Sequence, residues 1–218
     1  MRPVDEQLAK VLAAAVRPSP VRVAISEAQG LLCAEEVVAE RALPGFDQAA
    51  VDGYAIRSVD VRGAAEEPVA LPVVGEIGAG SRQPRRLQPG QAVRVVTGAP
   101  LPTLADAVVP LGQTDGHHSK VTVSSPVTSA AYVRRTGEDV QTGDVAVRRG
   151  AIIGSAQVGL LAAVGRNKVL VHPRPRVSII SVGEELVDVD RTPGAGQVYD
   201  VNSYALAAAA RDAGAEVS

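Results

Sequence analysis

Two carboxylates lie in one short window of the sequence whose residue types favour a loop. Asp47 and Asp52 fall between a Pro-Gly turn signal and a glycine. Phe46 and Tyr54 lie beside them, in a chain that has one Phe and four Tyr in total. Carboxylates placed on a loop by a rigid scaffold can bind a cation or move a proton, so the window is a candidate site. The residues support equally a turn whose aromatic side chains fill a small core.

Thr97 marks a second segment with chemical potential. It follows a β-branched run, Val95-Val96, and precedes a turn that contains Gly98 and Pro100. A hydroxyl and backbone N–H groups in such a turn could hold an oxyanion. The alternative is an ordinary turn in which the hydroxyl bonds its own backbone.

Two further segments carry acids in turns. Residues 134–139 read Arg-Arg-Thr-Gly-Glu-Asp, which is typical of a solvated surface turn but also suits phosphate and a hard cation. Residues 181–186, which include Glu184 and Glu185, follow the apolar run 176–181. The carboxyl end of a buried strand is where ligands bind in open α/β sheets, so a carboxylate here could hold Mg²⁺ or act as an acid or base.

The elements that position these groups follow from hydrophobic periodicity. Helical spacing predicts a helix over 4–16, and Ser26 and Gln29 have capping-box spacing for a short second helix. Short β-branched runs predict a small sheet or barrel. Its strands are expected at 69–74, 92–96, 107–109 and 120–123, with another strand at 36–39, a helix at 155–164 and a strand at 168–172.

The C-terminal residues have a different pattern. The near-continuous apolar run 176–181 predicts a parallel strand buried on both faces. A helix is expected over 203–213 with Asn202 as its N-cap, and 216–217 as the start of another strand. Because one strand and one helix cannot form a doubly wound sheet, we expect the chain to be the front part of a longer protein.

Composition excludes several classes of function. A formal net charge of −2 and a pI of about 5.9 give no basic footprint for nucleic acid. The single Cys33 excludes an intrachain disulfide and a thiolate-rich zinc site. No apolar run approaches the roughly 20 residues of a membrane helix, and no secretory leader is evident, so a cytoplasmic protein without membrane or nucleic-acid partners is predicted. The three histidines, His117, His118 and His172, are interpreted as structural or solvated.

Taken in order, the motif segments resemble the MoeA family, the molybdopterin molybdotransferases, whose eukaryotic relatives include the C-terminal domain of gephyrin. The family signatures run approximately PxFDNSAMDGYA, RIMTGAPxPxGADAVV, RxxGED, and STGDEL followed by GxIxDxN. They correspond to residues 44–55, 94–109, 134–139, and 181–186 with 196–202. Four ordered matches over nearly the whole chain make the resemblance specific.

The resemblance implies a mixed α/β, multidomain and elongated protein. The implied parts are N-terminal helices and linker over 1–43, continued by 140–173, an inserted β-rich domain over 44–139, and the start of an incomplete molybdopterin-binding α/β domain over 174–218. It also implies insertion of molybdate into adenylated molybdopterin with release of AMP and with Mg²⁺. Members are homodimers, and a molybdopterin adenylyltransferase is the implied upstream partner.

Four residues match positions that matter for activity in the family. Asp52 and Glu185 are the implied catalytic residues and candidate metal ligands, and Thr97 and Asp139 are the implied substrate-binding residues. The chain departs from the signatures at Gln48, Ala49, Leu104 and Val182, and none of these is one of the four. Because the matched part carries only part of the machinery, the isolated chain is expected to be inactive. The competing hypothesis is a non-catalytic dimerisation or scaffold module derived from the same fold.

Overall fold

The computed structural model describes residues 3–16, 18–81 and 86–218. Over these residues the chain forms three α-helices, α1 (Val4–Ala14), α2 (Ser155–Ala163) and α3 (Val201–Asp212). Its strands, in chain order, are β1 (Val21–Ala24), β2 (Leu32–Cys33), β3 (Val37–Val38), β4 (Gln48–Ala49), β5 (Gly53–Ile56), β6 (Val69–Ile77), β7 (Ala92–Val95), β8 (Ala107–Pro110), β9 (Lys120–Val123), β10 (Val133–Arg134), β11 (Val145–Val147), β12 (Lys168–His172), β13 (Arg176–Val177), β14 (Leu186–Val187), β15 (Val198–Tyr199) and β16 (Glu216–Val217).

The chain divides into two compact units. The first comprises Met1–Val37 with Val147–Ser218, and the second comprises Val38–Ala146. Near the two ends of the second unit, the N–H of Ala39 donates to the carbonyl of Asp144, and the N–H of Gly143 donates to the carbonyl of Ala39, both at 2.9 Å. The three-part division expected from the sequence, with an insert over 44–139, stays a prediction.

A five-stranded sheet organises the second unit. Its strand order is β8-β5-β7-β6-β9, with β6 and β7 parallel and the other neighbours antiparallel. β5 is buried at all four of its positions, Gly-Tyr-Ala-Ile, because neighbours flank it on both edges and apolar clusters cover both faces. The expected strands 69–74, 92–96, 107–109 and 120–123 are confirmed within three residues at each end.

Alternation along the strands builds two cores on opposite faces of this sheet. Tyr54 and Ile56 of β5 face one cluster, and Ala55 between them faces the other. A bulge between Val73 and Glu76 in β6 shifts the register against β7 by one residue. As a result Glu76 lies directly opposite Arg94 of β7.

The first unit is built around the antiparallel sheet β1-β12-β2. One face of this sheet and α2 enclose a core that includes Val37, Ile153, Leu161 and Val171. The predicted helix over 155–164 and the strand over 168–172 are confirmed. The predicted helix over 4–16 is confirmed as α1, which has no buried residue. None of the helices over the described residues combines the length and hydropathy needed to cross a lipid bilayer.

Two expectations for the C-terminal residues are wrong, namely the extent and burial of the strand over 176–181 and the N-cap of the following helix. The run 176–181 forms a strand only at Arg176–Val177, and Ile180 is 82% exposed, so its apolar residues are not covered as a buried strand requires. This strand pairs in parallel with β16, which the sequence does predict. The N-cap of α3 is Asp200, whose carboxylate accepts the N–H of Ser203, and the expected cap Asn202 lies inside the helix.

The short helix expected from Ser26 is also wrong in type. The chain makes a single 3-10 turn over Ile25–Glu27, and no side-chain cap forms. The strand expected over 36–39 is confirmed at Val37–Val38. A capping-box spacing without a following apolar stripe is therefore insufficient to extend a helix here.

Candidate active site

Asp52 and Thr97 form a direct pair at one end of the five-stranded sheet. Gly53 of β5 lies opposite Val95 of β7, so the residue before β5 meets the residues that follow β7. Thr97 donates its backbone N–H and its hydroxyl to Oδ1 of Asp52, both at 2.7 Å. The N–H bond first, and then the hydroxyl bond, hold the pKa of Asp52 below its ordinary value, and the carboxylate is exposed to solvent.

The turn after β7 has no free backbone donor for an oxyanion among residues 97–99. The N–H of Thr97 is engaged by Asp52, that of Gly98 donates to Ala49 O at 2.9 Å, and that of Ala99 donates to Val96 O at 2.9 Å. The expected oxyanion-holding turn is therefore not what these residues form. Thr97 fixes a carboxylate instead, and neither alternative considered for its hydroxyl anticipated this.

Gly53 is required by the close approach of β5 to β8. A Cβ at this position would lie 2.1 Å from the carbonyl oxygen of Val109, far inside contact distance. No side chain larger than hydrogen fits unless the backbone moves. The glycine in the window thus sets the spacing of the strand that directly follows Asp52.

Asp47, the other acid of the window, is bound by a second segment. Its Oδ2 accepts from Nη1 of Arg135 at 2.5 Å, and its Oδ1 accepts from the N–H and hydroxyl of Thr136 at 2.8 and 3.0 Å. The N–H bond from Thr136 is the largest cause of the lowered pKa of Asp47, and burial partly opposes it. The cation of Arg135 is therefore used within the protein and is not presented to a phosphate.

Asp139 pairs with Arg134 in the same segment. Nη2 of Arg134 donates to both carboxylate oxygens of Asp139, at 2.6 Å to Oδ1 and 2.5 Å to Oδ2. The pair raises the pKa of Arg134. The N–H of Asp139 donates to Leu43 O at 2.9 Å, so the segment 134–139 packs beside the window that contains Asp47.

The aromatic residues of the window have separate roles. Tyr54 is fully buried in the core of the sheet and donates its hydroxyl to His117 O at 3.0 Å. Phe46 is 47% exposed. The core-filling interpretation holds for Tyr54 alone, and the two rings do not frame the acids together.

Glu185 belongs to the first unit, whereas Asp52, Thr97 and Asp139 belong to the second. Its side chain is exposed and turns back towards Gly183, where an added Cβ would lie 2.7 Å from Oε2. Its carbonyl accepts the N–H of Val198 at 2.8 Å. Near it, a cavity of about 300 Å³ contains Asp188, whose Oδ1 accepts the hydroxyl of Tyr204 at 2.7 Å.

Arg94 and His118, which contact each other, were not among the predicted site residues. Nη1 of Arg94 lies 3.0 and 2.8 Å from the two ring nitrogens of His118. Arg94 belongs to one of the family motifs and lies two residues after Ala92 in β7. Because residues two apart in a strand share a face, this spacing could have indicated that Arg94 lies on the same face of the sheet as Tyr54. Nothing in the sequence pairs His118 with Arg94, because the contact depends on a loop that folds over the sheet.

The departures from the motifs fall at different kinds of position. Ala49 is buried, and Gln48 pairs with Arg134 across β4 and β10. Leu104 has φ of +77°, a left-handed conformation that favours glycine. A leucine therefore stands where the backbone suits the glycine of the signature. Val182 is 89% exposed.

Within the described ranges, no three His, Cys, Asp or Glu side chains come together as a metal-binding group. Residues 2–165 match the family model of the MoeA N-terminal region (domain I and II). The chain therefore belongs to this family.

Relatives and solved structures agree with this placement. Molybdopterin molybdenumtransferase 1 of Mycobacterium tuberculosis (strain ATCC 25618 / H37Rv) is 65% identical over 234 residues, covering 100% of this chain and 55% of that protein. Molybdopterin molybdenumtransferase 2 of the same strain is 44% identical over 219 residues, covering 100% and 54%. A crystal structure of the molybdopterin biosynthesis moeA protein from Pyrococcus horikoshii OT3 aligns with TM-score 0.89 at 34% identity, covering 100% of this chain and 59% of that one. The chain thus spans little more than half the length of these relatives.

Proposed function

We propose that this chain is the N-terminal portion of a molybdopterin molybdotransferase, which inserts molybdate into adenylated molybdopterin and releases AMP. The observation that carries the proposal is the Asp52 carboxylate, fixed on one oxygen by Thr97 at the end of the sheet. Membership of the MoeA N-terminal region family, and 65% identity to a protein named molybdopterin molybdenumtransferase, support the activity. The proposal includes a homodimer that receives its adenylated substrate from a molybdopterin adenylyltransferase.

The fixed orientation of the Asp52 carboxylate suits this chemistry. An exposed aspartate is ionised at neutral pH, and the two hydrogen bonds from Thr97 hold that ionised group in one orientation. Both bonds from Thr97 end on Oδ1, and over the described residues Oδ2 accepts no hydrogen bond. One preoriented carboxylate oxygen is therefore available for a water molecule, a proton or a cation.

The same arrangement fits Mg²⁺. Magnesium is commonly held by one or two protein carboxylates together with substrate phosphates and water, so one oxygen of Asp52 is a suitable ligand. Glu185, also an exposed carboxylate, is the other candidate metal ligand that the family resemblance implies. When bound, the ion would neutralise charge on the phosphate groups of the adenylated substrate. In this proposal Asp139 binds the substrate while it remains paired with Arg134. Thr97 contributes to substrate binding by holding Asp52 in place.

The test joins residues 1–218 to the remaining C-terminal portion of the Mycobacterium tuberculosis relative that is 65% identical. Formation of molybdenum cofactor and release of AMP are measured with adenylated molybdopterin and molybdate. We expect Asp52→Asn to lower turnover by about 100-fold or more, the range seen when a positioned acid or base is removed.

Asp106→Asn is the matched control. Asp106 also accepts a backbone N–H and a hydroxyl from Ser58, at 2.6 and 2.8 Å. It directly precedes β8, whose Ala107 lies opposite Ile56, at the end of β5 away from Asp52. Its replacement is expected to retain turnover per folded molecule within a few-fold. Full turnover by the Asp52→Asn protein would contradict the proposal. If the joined protein folds and binds its substrates without turnover, the non-catalytic scaffold becomes the better interpretation.

A further inference from the structure

We infer that Arg94 is the anion-binding side chain beside Asp52 and that His118 positions its guanidinium group. The inference rests on the proposed function, because it concerns the anionic substrates of that site. It begins from the finding that the N–H groups of residues 97–99 are engaged within the protein. An oxyanion at this end of the sheet therefore needs another donor.

Strand register places Arg94 on the face that carries Asp52. Arg94 lies directly opposite Tyr54 of β5, and Asp52 stands two residues before Tyr54. Residues two apart along a strand share a face, and diagonal neighbours on adjacent strands are about 7–8 Å apart, within reach of an arginine. Glu76 of β6 also lies opposite Arg94. Arg94 thus places a positive charge beside these two acids.

The contact with His118 is made between a guanidinium N–H of Arg94 and the face of the ring. Nη1 of Arg94 lies 3.0 Å from Nδ1 and 2.8 Å from Nε2 of the same ring. A nitrogen in the plane of the ring at these distances would collide with Cε1, which lies between the two ring nitrogens. The guanidinium nitrogen therefore lies over the ring face, where a cation is attracted to the electrons of an aromatic ring.

The charge of Arg94 is left for a ligand. Over the described residues, no carboxylate lies within 4.0 Å of its guanidinium, in contrast to Arg134 and Arg135. Arg94 is half-buried, so its side chain is confined by its surroundings. Arg94 also adds to the lowering of the pKa of Asp52, after the two bonds from Thr97. A confined arginine with no acidic partner presents a preorganised site for an oxyanion.

The loop that carries His118 is itself fixed. The buried Tyr54 hydroxyl holds His117 O, and Oδ1 of Asp115 accepts the N–H groups of Thr122 and His117 at 3.0 and 3.3 Å. The side-chain and then the backbone hydrogen bond of Thr122 lower the pKa of Asp115 to about 2. The ring of His118 is therefore delivered to Arg94 by a loop anchored at both sides of it.

The ligand chemistry is that of a tetrahedral oxyanion. Two sources share this chemistry in the proposed reaction, molybdate and the phosphate of the adenylated substrate. The chain of 218 residues is titrated separately with molybdate and with AMP, and binding is followed by NMR of the arginine Nε–H groups and the backbone amides near Arg94. The Asp52 activity test does not enter this measurement, so failure of one leaves the other standing.

Four variants give the inference sharp outcomes. Arg94→Gln is expected to weaken anion binding by about 10- to 100-fold, since a charge-assisted hydrogen bond is lost. His118→Ala is expected to weaken it by about 2- to 5-fold, the size of an exposed cation–π contact. His118→Phe restores a ring face and should recover the parent affinity. His117→Ala, which keeps the carbonyl that Tyr54 bonds, is the matched control and should bind within twofold of the parent.

The response identifies the source of the anion. A response to molybdate alone assigns Arg94 to molybdate, and a response to AMP alone assigns it to the substrate phosphate. Either result supports the inference if it depends on Arg94. No response of the parent to either anion, or equal binding by Arg94→Gln and parent with an unchanged thermal midpoint, would overturn it. Equal loss in His118→Ala and His118→Phe would overturn the positioning role of His118.

Discussion

Asp47 and Asp52 lie in the same window, and the fold treats their carboxylates in different ways. The carboxylate of Asp47 pairs with the guanidinium of Arg135 and accepts two further hydrogen bonds from Thr136. These contacts involve both of its oxygens. Asp52 receives two bonds from the uncharged Thr97, both on a single oxygen. The difference separates an acid that joins two segments of chain from an acid that is held ready for an external group.

Gly53 and Gly45, the two glycines of this window, also differ in their surroundings. Replacing Gly53 gives the largest expected effect on the free energy of unfolding. A Cβ at Gly53 would lie 2.1 Å from Val109 O, whereas a Cβ at Gly45 would lie 3.8 Å from Ala42 O. We expect Gly53→Ala to lower the free energy of unfolding by about 3 kcal/mol, because β5 and β8 must separate. Gly45→Ala should leave it nearly unchanged, and urea unfolding of both variants measures the contrast. Equal stability of the two variants would contradict the close strand approach.

Replacing each aspartate by alanine tests the comparison directly. Asp47→Ala removes the Arg135 and Thr136 contacts, and we expect it to lower the free energy of unfolding by about 1–2 kcal/mol after allowance for solvent exposure. Asp52→Ala should leave the unfolding midpoint close to that of the parent while it abolishes the proposed activity. If Asp52→Ala were the more destabilising of the two, the division between a joining acid and a presented acid would be wrong.

The contribution of Asp47 depends on pH with a definite sign. Its folded-state pKa is lowered, so its stabilising contribution is fully present above the ordinary carboxyl pKa of 3.8 and is lost as pH falls through the folded value. The stability difference between the parent and Asp47→Ala should therefore be constant near neutral pH and shrink below about pH 4. Urea unfolding across this range measures it. A difference that grew on acidification would show that the ionised form is not the stabilising one.

The smallest expected effect is on the pKa of Asp52. Thr97→Val removes the hydroxyl bond and keeps the N–H bond, which is the larger cause of the lowering. We expect the pKa of Asp52 to rise part of the way to its ordinary value while that of Asp47 stays unchanged. Carbon-detected NMR titration of the side-chain carboxyl groups measures both. Thr136→Val is the matched variant, and it should move Asp47 and leave Asp52.

Local sequence patterns were sufficient for most of the strands. The runs at 69–74, 92–96, 107–109 and 120–123 could be predicted because β-branched residues between turn signals favour extended chain. The order of the strands in the sheet could not be predicted, and neither could the bulge that places Glu76 opposite Arg94. They depend on pairings between segments far apart in the chain, as does the length of β13, which local hydrophobicity overstates.

The candidate site shows the same division. Motif resemblance selected Asp52 and Thr97, and the fold joins them across 45 residues of chain. The resemblance did not indicate that Arg135 would pair with Asp47, 88 residues away. The sequence of a turn with paired charges is the same whether or not a distant residue binds one of those charges. Nor could the resemblance pair Arg94 with His118, since the contact needs the loop anchored by Tyr54.

The paired hydrogen bonds between Ala39 and the residues at 143–144 have a practical consequence. They hold the entry and exit of the unit Val38–Ala146 side by side, as in segments that have been inserted into another domain. We expect that this segment can be excised and its ends joined by a short linker, which would give a small protein for spectroscopy. The same geometry makes it a transplantable module, able to carry Asp52, Thr97 and Arg94 together into a different host protein.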